Sequence, residues 1–199
     1  MRLLRRTGWL LLVVLLGSLV PSTPLTGQET PKFTFPLNPG TVWTYIVGEN
    51  RFEIRLTKME KIGKVDCARL EMFVEGKSRS FEHLGIDGNV LARYSFEGKP
   101  TAPPIPLLKL PPKPGEKWYV ESKLDGQLFK GTLAVSEEPV QVPFGKFTAV
   151  KVSGVDMDLN GQKFNVTYWF VSGIGMVKQV AELAGQKVIF ELEKFTPGK

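Results

Sequence analysis

The chain has 199 residues, 42% hydrophobic and 23% charged, with 26 Lys+Arg against 20 Asp+Glu and a formal net charge of +6. Three of those cations, Arg2, Arg5 and Arg6, sit in an N-terminal segment without an acid, which leaves 23 against 20, or +3, for the remainder. So small a surplus excludes the electrostatic footprint of a nucleic-acid binder, and a single cysteine and a single histidine exclude an intramolecular disulfide and the usual zinc ligand sets.

The three arginines precede an apolar run of 12 residues from Trp9 to Val20, followed by a small-residue stretch containing proline. This charged, apolar, cleavable order marks residues 1–27 as a secretory signal peptide. The run is shorter than the roughly 18 to 20 residues a helix needs to cross a bilayer, so no transmembrane anchor is expected after cleavage. Cleavage fits after Ser22 or after Gly27, each placing a small residue beside the cut. No cysteine lies there to carry a lipid, and Thr7-Gly8-Trp9 after Arg5-Arg6 suits ordinary secretion better than twin-arginine export. The mature protein is expected to be secreted or periplasmic.

Beyond the signal, alternation dominates: Phe52, Ile54 and Leu56 against Glu53, Arg55 and Thr57, or Phe129, Leu133 and Val135 against Lys130, Thr132 and Ser136. Period two means half-buried antiparallel strands. Glu75-Gly76, Asp87-Gly88, Asp125-Gly126, Asn160-Gly161 and Ala184-Gly185 punctuate the runs as tight hairpin turns. About eleven strands follow, near 42–47, 51–60, 64–74, 77–85, 89–95, 116–124, 127–137, 147–159, 162–171, 175–183 and 187–195. In the third, Cys67 reads as a buried, inert small hydrophobe. In the fourth, His83 reads as an ordinary strand residue, and no G-x-S-x-G elbow supplies it with a nucleophile.

Phe35-Pro-Leu-Asn-Pro-Gly-Thr-Val-Trp43 aligns with Leu110-Pro-Pro-Lys-Pro-Gly-Glu-Lys-Trp118, and later turns recur in the same order. The chain therefore divides into a first β-meander repeat over 28–99, a proline-rich connector over 100–115 and a second repeat over 116–199. In the second repeat the apolar parity switches between Val152 and Val155, which places a bulge at Ser153-Gly154. Asp156-Met-Asp158-Leu-Asn160-Gly161 copies the first half of a calcium loop, but Phe164 and Thr167 stand where later ligands belong, so a hairpin is expected. Asn165-Val-Thr167 fits the glycosylation pattern only inside a strand. Glu137, Glu138, Glu191 and Glu193 are available as paired carboxylates, and nothing in their spacing sets two across a cleft. Trp43, Trp118 and Trp169, with Tyr45, Tyr119 and Phe170, suit either a ligand-stacking wall or, for the two repeat-matched tryptophans, plugs at the ends of the core.

Trp169-Phe-Val-Ser-Gly-Ile-Gly-Met-Val-Lys178, preceded by Val142-Pro-Phe-Gly-Lys-Phe147 and opened by Phe35-Pro-x-x-Pro-Gly-x-x-Trp43, resembles the TapB-like domains, exported bacterial β-domains of unknown function. Phe170 and Ser172 depart from that family's usual tyrosine and proline. The resemblance implies a secreted all-β domain and carries no catalytic residues with it.

The expected fold is all-β: a curved antiparallel sheet forming an open barrel or two packed half-barrels made by the repeat. The expected function is a non-enzymatic binding or carrier module for an apolar or amphiphilic ligand such as a lipid, without cofactor, metal or catalytic residues. The alternative is a structural or interaction module docking on an envelope protein. A hydrolase would need two close carboxylates in a cleft, or His83 beside a hydroxyl.

Overall fold

Alternating side chains become twelve antiparallel strands in the computed structural model, which describes residues 32–199; the segment read as a signal peptide, 1–27, lies outside the described residues. The strands are β1 Val42–Val47, β2 Asn50–Ile62, β3 Val65–Val74, β4 Lys77–Asp87, β5 Val90–Phe96, β6 Lys99–Lys109, β7 Lys117–Leu124, β8 Gln127–Val142, β9 Gly145–Leu159, β10 Gln162–Val171, β11 Gly175–Leu183 and β12 Gln186–Thr196. Each pairs with its neighbours in sequence, and β1 also pairs with β12 from Val42↔Thr196 to Ile46↔Glu191. The sheet is therefore a closed barrel, and both six-strand halves share one ring and one core rather than forming an open barrel or two half-barrels.

Meander topology puts alternate turns at opposite ends. One end carries the turns at Glu75-Gly76, Glu97-Gly98, Asp125-Gly126, Asn160-Gly161 and Ala184-Gly185, each with positive φ at both residues. That is the type I′ geometry whose twist matches a two-residue hairpin. The other end receives residues 32–41 and the C-terminal residues. There the two Pro-x-x-Pro-Gly segments make matching backbone bonds: Gly40 N donates to Leu56 O and Gly115 N to Val135 O, while Leu56 N donates to Thr41 O and Val135 N to Glu116 O. Gly40 and Gly115 have φ of +85° and +87°, a conformation that favours glycine, which explains the shared Pro-Gly.

The stretch read as a proline-rich connector is largely strand β6. It pairs with β5 in two stretches, Val90↔Lys109 to Arg93↔Ile105 and Ser95↔Pro100 to Phe96↔Lys99, and the residues skipped between them include Thr101 and Ala102, which pair with β7 at Leu124 and Lys123. Pro100, Pro103, Pro104 and Pro106 have no N–H to donate to a ladder. Side chains span the rest of this seam: Ser122 Oγ donates to Pro103 O at 2.6 Å, Trp118 Nε1 to Pro106 O at 3.4 Å, and Lys109 Nζ to Glu116 Oε1 at 2.9 Å.

The expected bulge exists, two residues later than expected. Gly154 still pairs with Val166, the register shifts before Met157↔Phe164, and Asp156 takes φ +53°. Asn165 Oδ1 accepts from Asp156 N at 2.9 Å, so the side chain of the glycosylation-like triplet closes the bulge. The extra residue returns Met157 to the barrel interior, where it is fully buried.

Candidate functional site

Inward-facing side chains do not fill the ring evenly. On the β8–β9 side, a Cβ added to Gly154 would lie 2.7 Å from Met157 Sδ, and one added to Gly131 would also run into that sulfur. The two glycines let Met157 fold flat against the sheet and close that side of the lumen. Across the ring a cavity of about 310 Å³ remains, at the lower limit of ligand pockets.

Aromatic and aliphatic groups make its inner end: Phe35, Trp43, Leu91, Leu107 and Phe170 line it, with the Phe35 and Phe170 rings edge to face at 6.3 Å. Trp43 Nε1 donates to Ile174 O at 2.6 Å and Tyr45 Oη to Met176 O at 2.7 Å, so their polar atoms are satisfied by backbone and their rings face the cavity. Burial, with the nearby Glu82 charge, pushes the Tyr45 phenol far above its usual range and keeps it neutral. Phe52 stacks on Tyr45 at 5.4 Å and meets Phe190 edge to face at 5.0 Å. Toward the hairpin end, Phe96, Leu183 and Val188 share register with inward positions and are 37%, 41% and 44% exposed, which gives the mouth an apolar rim.

Two charged side chains line this apolar space. Glu82 on β4 and Arg93 on β5 point inward with their neighbours Leu84 and Leu91, and Arg93 Nε donates to Glu82 Oε2 at 2.5 Å. Burial opposes the Arg93 charge, and the Glu82 carboxylate outweighs it, so Arg93 stays ionised. Burial also raises Tyr168, whose ring lines the same cavity.

The aromatic candidates separate by face. Trp43, Tyr45 and Phe170 line the cavity. Trp118 is buried in the other half of the core, at the β6–β7 seam. Tyr119 is 60% exposed, and Trp169 lies on the outer face between Lys151 Nζ at 5.7 Å and Lys178 Nζ at 5.8 Å, donating to Glu138 Oε1 at 2.8 Å. The acids scatter likewise: Glu138 pairs with Lys151, Glu191 with Lys178 and Glu193 with Arg51. Asp156, Asp158 and Asn160 do not converge; Asp158 Oδ1 accepts from Gly161 N at 2.8 Å within the hairpin turn. Among the described residues no three His, Cys, Asp or Glu side chains are grouped to hold a metal.

His83 does stand beside a hydroxyl. Its Nδ1 is 2.6 Å from Ser95 Oγ and its Nε2 is 2.7 Å from Glu60 Oε2. The carboxylate can only accept, so Nε2 donates to Glu60, and Nδ1 shares the second hydrogen bond with the Ser95 hydroxyl. All three lie on the outer face, under Phe81 and Arg69, whose guanidinium sits 3.6 Å over the Phe81 ring. Ser95 is 4% exposed and His83 5%, so neither presents a reacting atom to an approaching substrate. Cys67, fully buried on the same face, has its thiol pushed up by burial.

The sequence reading missed the Glu82–Arg93 pair. The signal was present: Glu82 shares parity with Leu84, and Arg93 with Leu91, so both charges occupy apolar-face positions.

No family model matches the chain, and no curated protein matches it. Two solved structures share its fold. One is a presumed exported protein with a YmcC-like fold from Bacteroides fragilis, 14% identical, matching 83% of this chain and 99% of the other with a TM-score of 0.56. The second is a presumed lipoprotein from Parabacteroides distasonis, 12% identical over 84% of this chain and 100% of the other, with a TM-score of 0.50.

Proposed function

We propose that the protein is a non-enzymatic binding or carrier module of the cell envelope, secreted or periplasmic, that holds an amphiphile inside its barrel. The observation that carries this reading is the cavity of about 310 Å³, walled by aromatic rings whose polar atoms are already satisfied and rimmed by exposed apolar side chains. Burial of an alkyl chain there is favourable by roughly 0.8 kcal/mol per methylene.

The N-terminal segment read as a signal peptide supports export, as do the presumed exported protein and presumed lipoprotein sharing the fold and the TapB-like resemblance of the Trp169–Lys178 string. Outward faces carry ion pairs around the ring, including Arg69–Glu71, Lys151–Glu138, Lys178–Glu191 and Arg51–Glu193. A lipid-facing barrel has an outward apolar band instead, so this barrel fits an aqueous compartment. The interaction-module alternative has less support, because the ring pairs the strand edges that β-augmentation would use except along most of the β6–β7 seam, which side chains bridge.

The test is native mass spectrometry of the protein purified from its own envelope, followed by solvent extraction. A bound amphiphile near one per chain is the expected result. An apo mass, together with failure to bind any neutral apolar fluorophore, would refute the proposal.

A further inference from the structure

From the cavity's charge balance we infer that its ligand is an uncharged single-chain amphiphile, of the monoacylglycerol or fatty amide class, whose head bridges Arg93 and Glu82. The inference rests on the carrier reading above and specifies its ligand. Of the cavity-lining side chains, Glu82 and Arg93 are the two that carry charge, one of each sign. Their mutual bond uses Arg93 Nε and Glu82 Oε2. Among the described residues, the terminal guanidinium nitrogens and Glu82 Oε1 make no other hydrogen bond, yet no buried side-chain nitrogen or oxygen is left without a partner, so these atoms remain solvent-reachable. The side chains keep 25% and 20% of their exposure while lining the cavity.

The site therefore offers donors and an acceptor side by side, with zero net charge. A head bearing both a hydroxyl or amide N–H and an oxygen acceptor satisfies both partners. An ionised carboxylate satisfies Arg93 alone, sets a second negative charge against Glu82 and leaves the enclosed site with an uncompensated charge. The pair sits midway along β4 and β5, with Leu91, Leu107 and Trp43 lying toward the end where residues 32–41 cross. Glu82 stands opposite the rim residue Phe96 in the ladder, so the tail enters first and the head stops close to the mouth.

The experiment uses the delipidated mature protein, the neutral fluorophore N-phenyl-1-naphthylamine as reporter, and 1-monopalmitoylglycerol and palmitate at pH 8 as competitors. Monopalmitoylglycerol is expected to displace the reporter at a concentration at least about tenfold lower than palmitate. Glu82→Gln leaves Arg93 uncompensated and is expected to shift that ratio toward palmitate by about tenfold or more. Arg93→Met with Glu82→Leu, an apolar replacement of similar volume, is expected to lose the discrimination, so that the two competitors displace the reporter at similar concentrations. Reporter binding with palmitate equal or superior on the native protein, or a ratio unmoved by both variants, overturns this inference and leaves the carrier reading standing. Failure of the reporter and of both competitors to bind overturns the carrier reading itself.

Discussion

Glu82 and Arg93 sit on adjacent strands with both charges turned into the barrel, 2.5 Å apart, on the face that an alternating pattern reserves for apolar groups. Removing one member strands the other. Arg93→Met is expected to destabilise the fold by about 2–3 kcal/mol, below the range for a fully buried pair because both side chains retain contact with the cavity. The Arg93→Met, Glu82→Leu double variant is expected to lose less than about 1 kcal/mol. Urea unfolding of the native protein and both variants measures the difference.

The repeat-matched tryptophans have unequal anchors. Trp43 Nε1 donates at 2.6 Å and Trp118 Nε1 at 3.4 Å, the latter at the weak limit of a hydrogen bond. Trp43→Phe should therefore cost about 1–2 kcal/mol, with the Ile174 carbonyl left unpaired, and Trp118→Phe distinctly less. Equal losses by chemical denaturation would show that packing alone decides both positions.

Ala184 takes φ +49° in the β11–β12 turn, a conformation disfavoured for a residue with a Cβ and no compensating side-chain bond. Ala184→Asn is expected to raise stability by up to about 1 kcal/mol, read as a higher midpoint of thermal unfolding.

The His83 hydrogen bond, aided by Lys58, holds the Glu60 carboxyl at about 2 against an ordinary value of 4.5. The folded value is the lower one, so this stabilisation is complete above about pH 4.5 and drains away as pH falls toward 2. Glu60→Gln should flatten the stability profile within that window. Thermal melts between pH 2 and 7 check it.

The enclosed Ser95 hydroxyl gives a direct trial of the non-enzymatic reading. A fluorophosphonate probe is expected to leave the folded protein unmodified. Stoichiometric labelling at Ser95 would restore a hydrolase.

Period two, interrupted by one parity switch in β9, made every strand except β6 legible. Prolines obscured that one, because they normally forbid the ladder; here β5 pairs with both ends of the strand and skips residues 101–104, while side chains bridge most of the β7 side. The bulge was legible as a parity switch, but the apolar pattern cannot say which of several adjacent residues bends, and Asp156 was fixed by the Asn165 side chain. Closure was beyond the sequence. Alternation assigns a face to each residue, whereas β1 meeting β12 depends on the summed twist and stagger of the whole sheet. The interior ion pair escaped because a charge within a strand is ordinarily outward; only its parity with Leu84 and Leu91 marked it.

With two ladder pairs, the β6–β7 seam is the thinnest backbone join in the ring, while β1 and β12, the strands nearest the described chain ends, share five. The β1–β12 join and the thinnest join are thus on opposite sides of the ring. A version begun at Lys117 and finished at Lys109, with the original termini spliced together, would follow the order β7 to β12 and then β1 to β6. Every ladder but the thinnest would run unbroken, so the topological beginning of the barrel lies between β6 and β7.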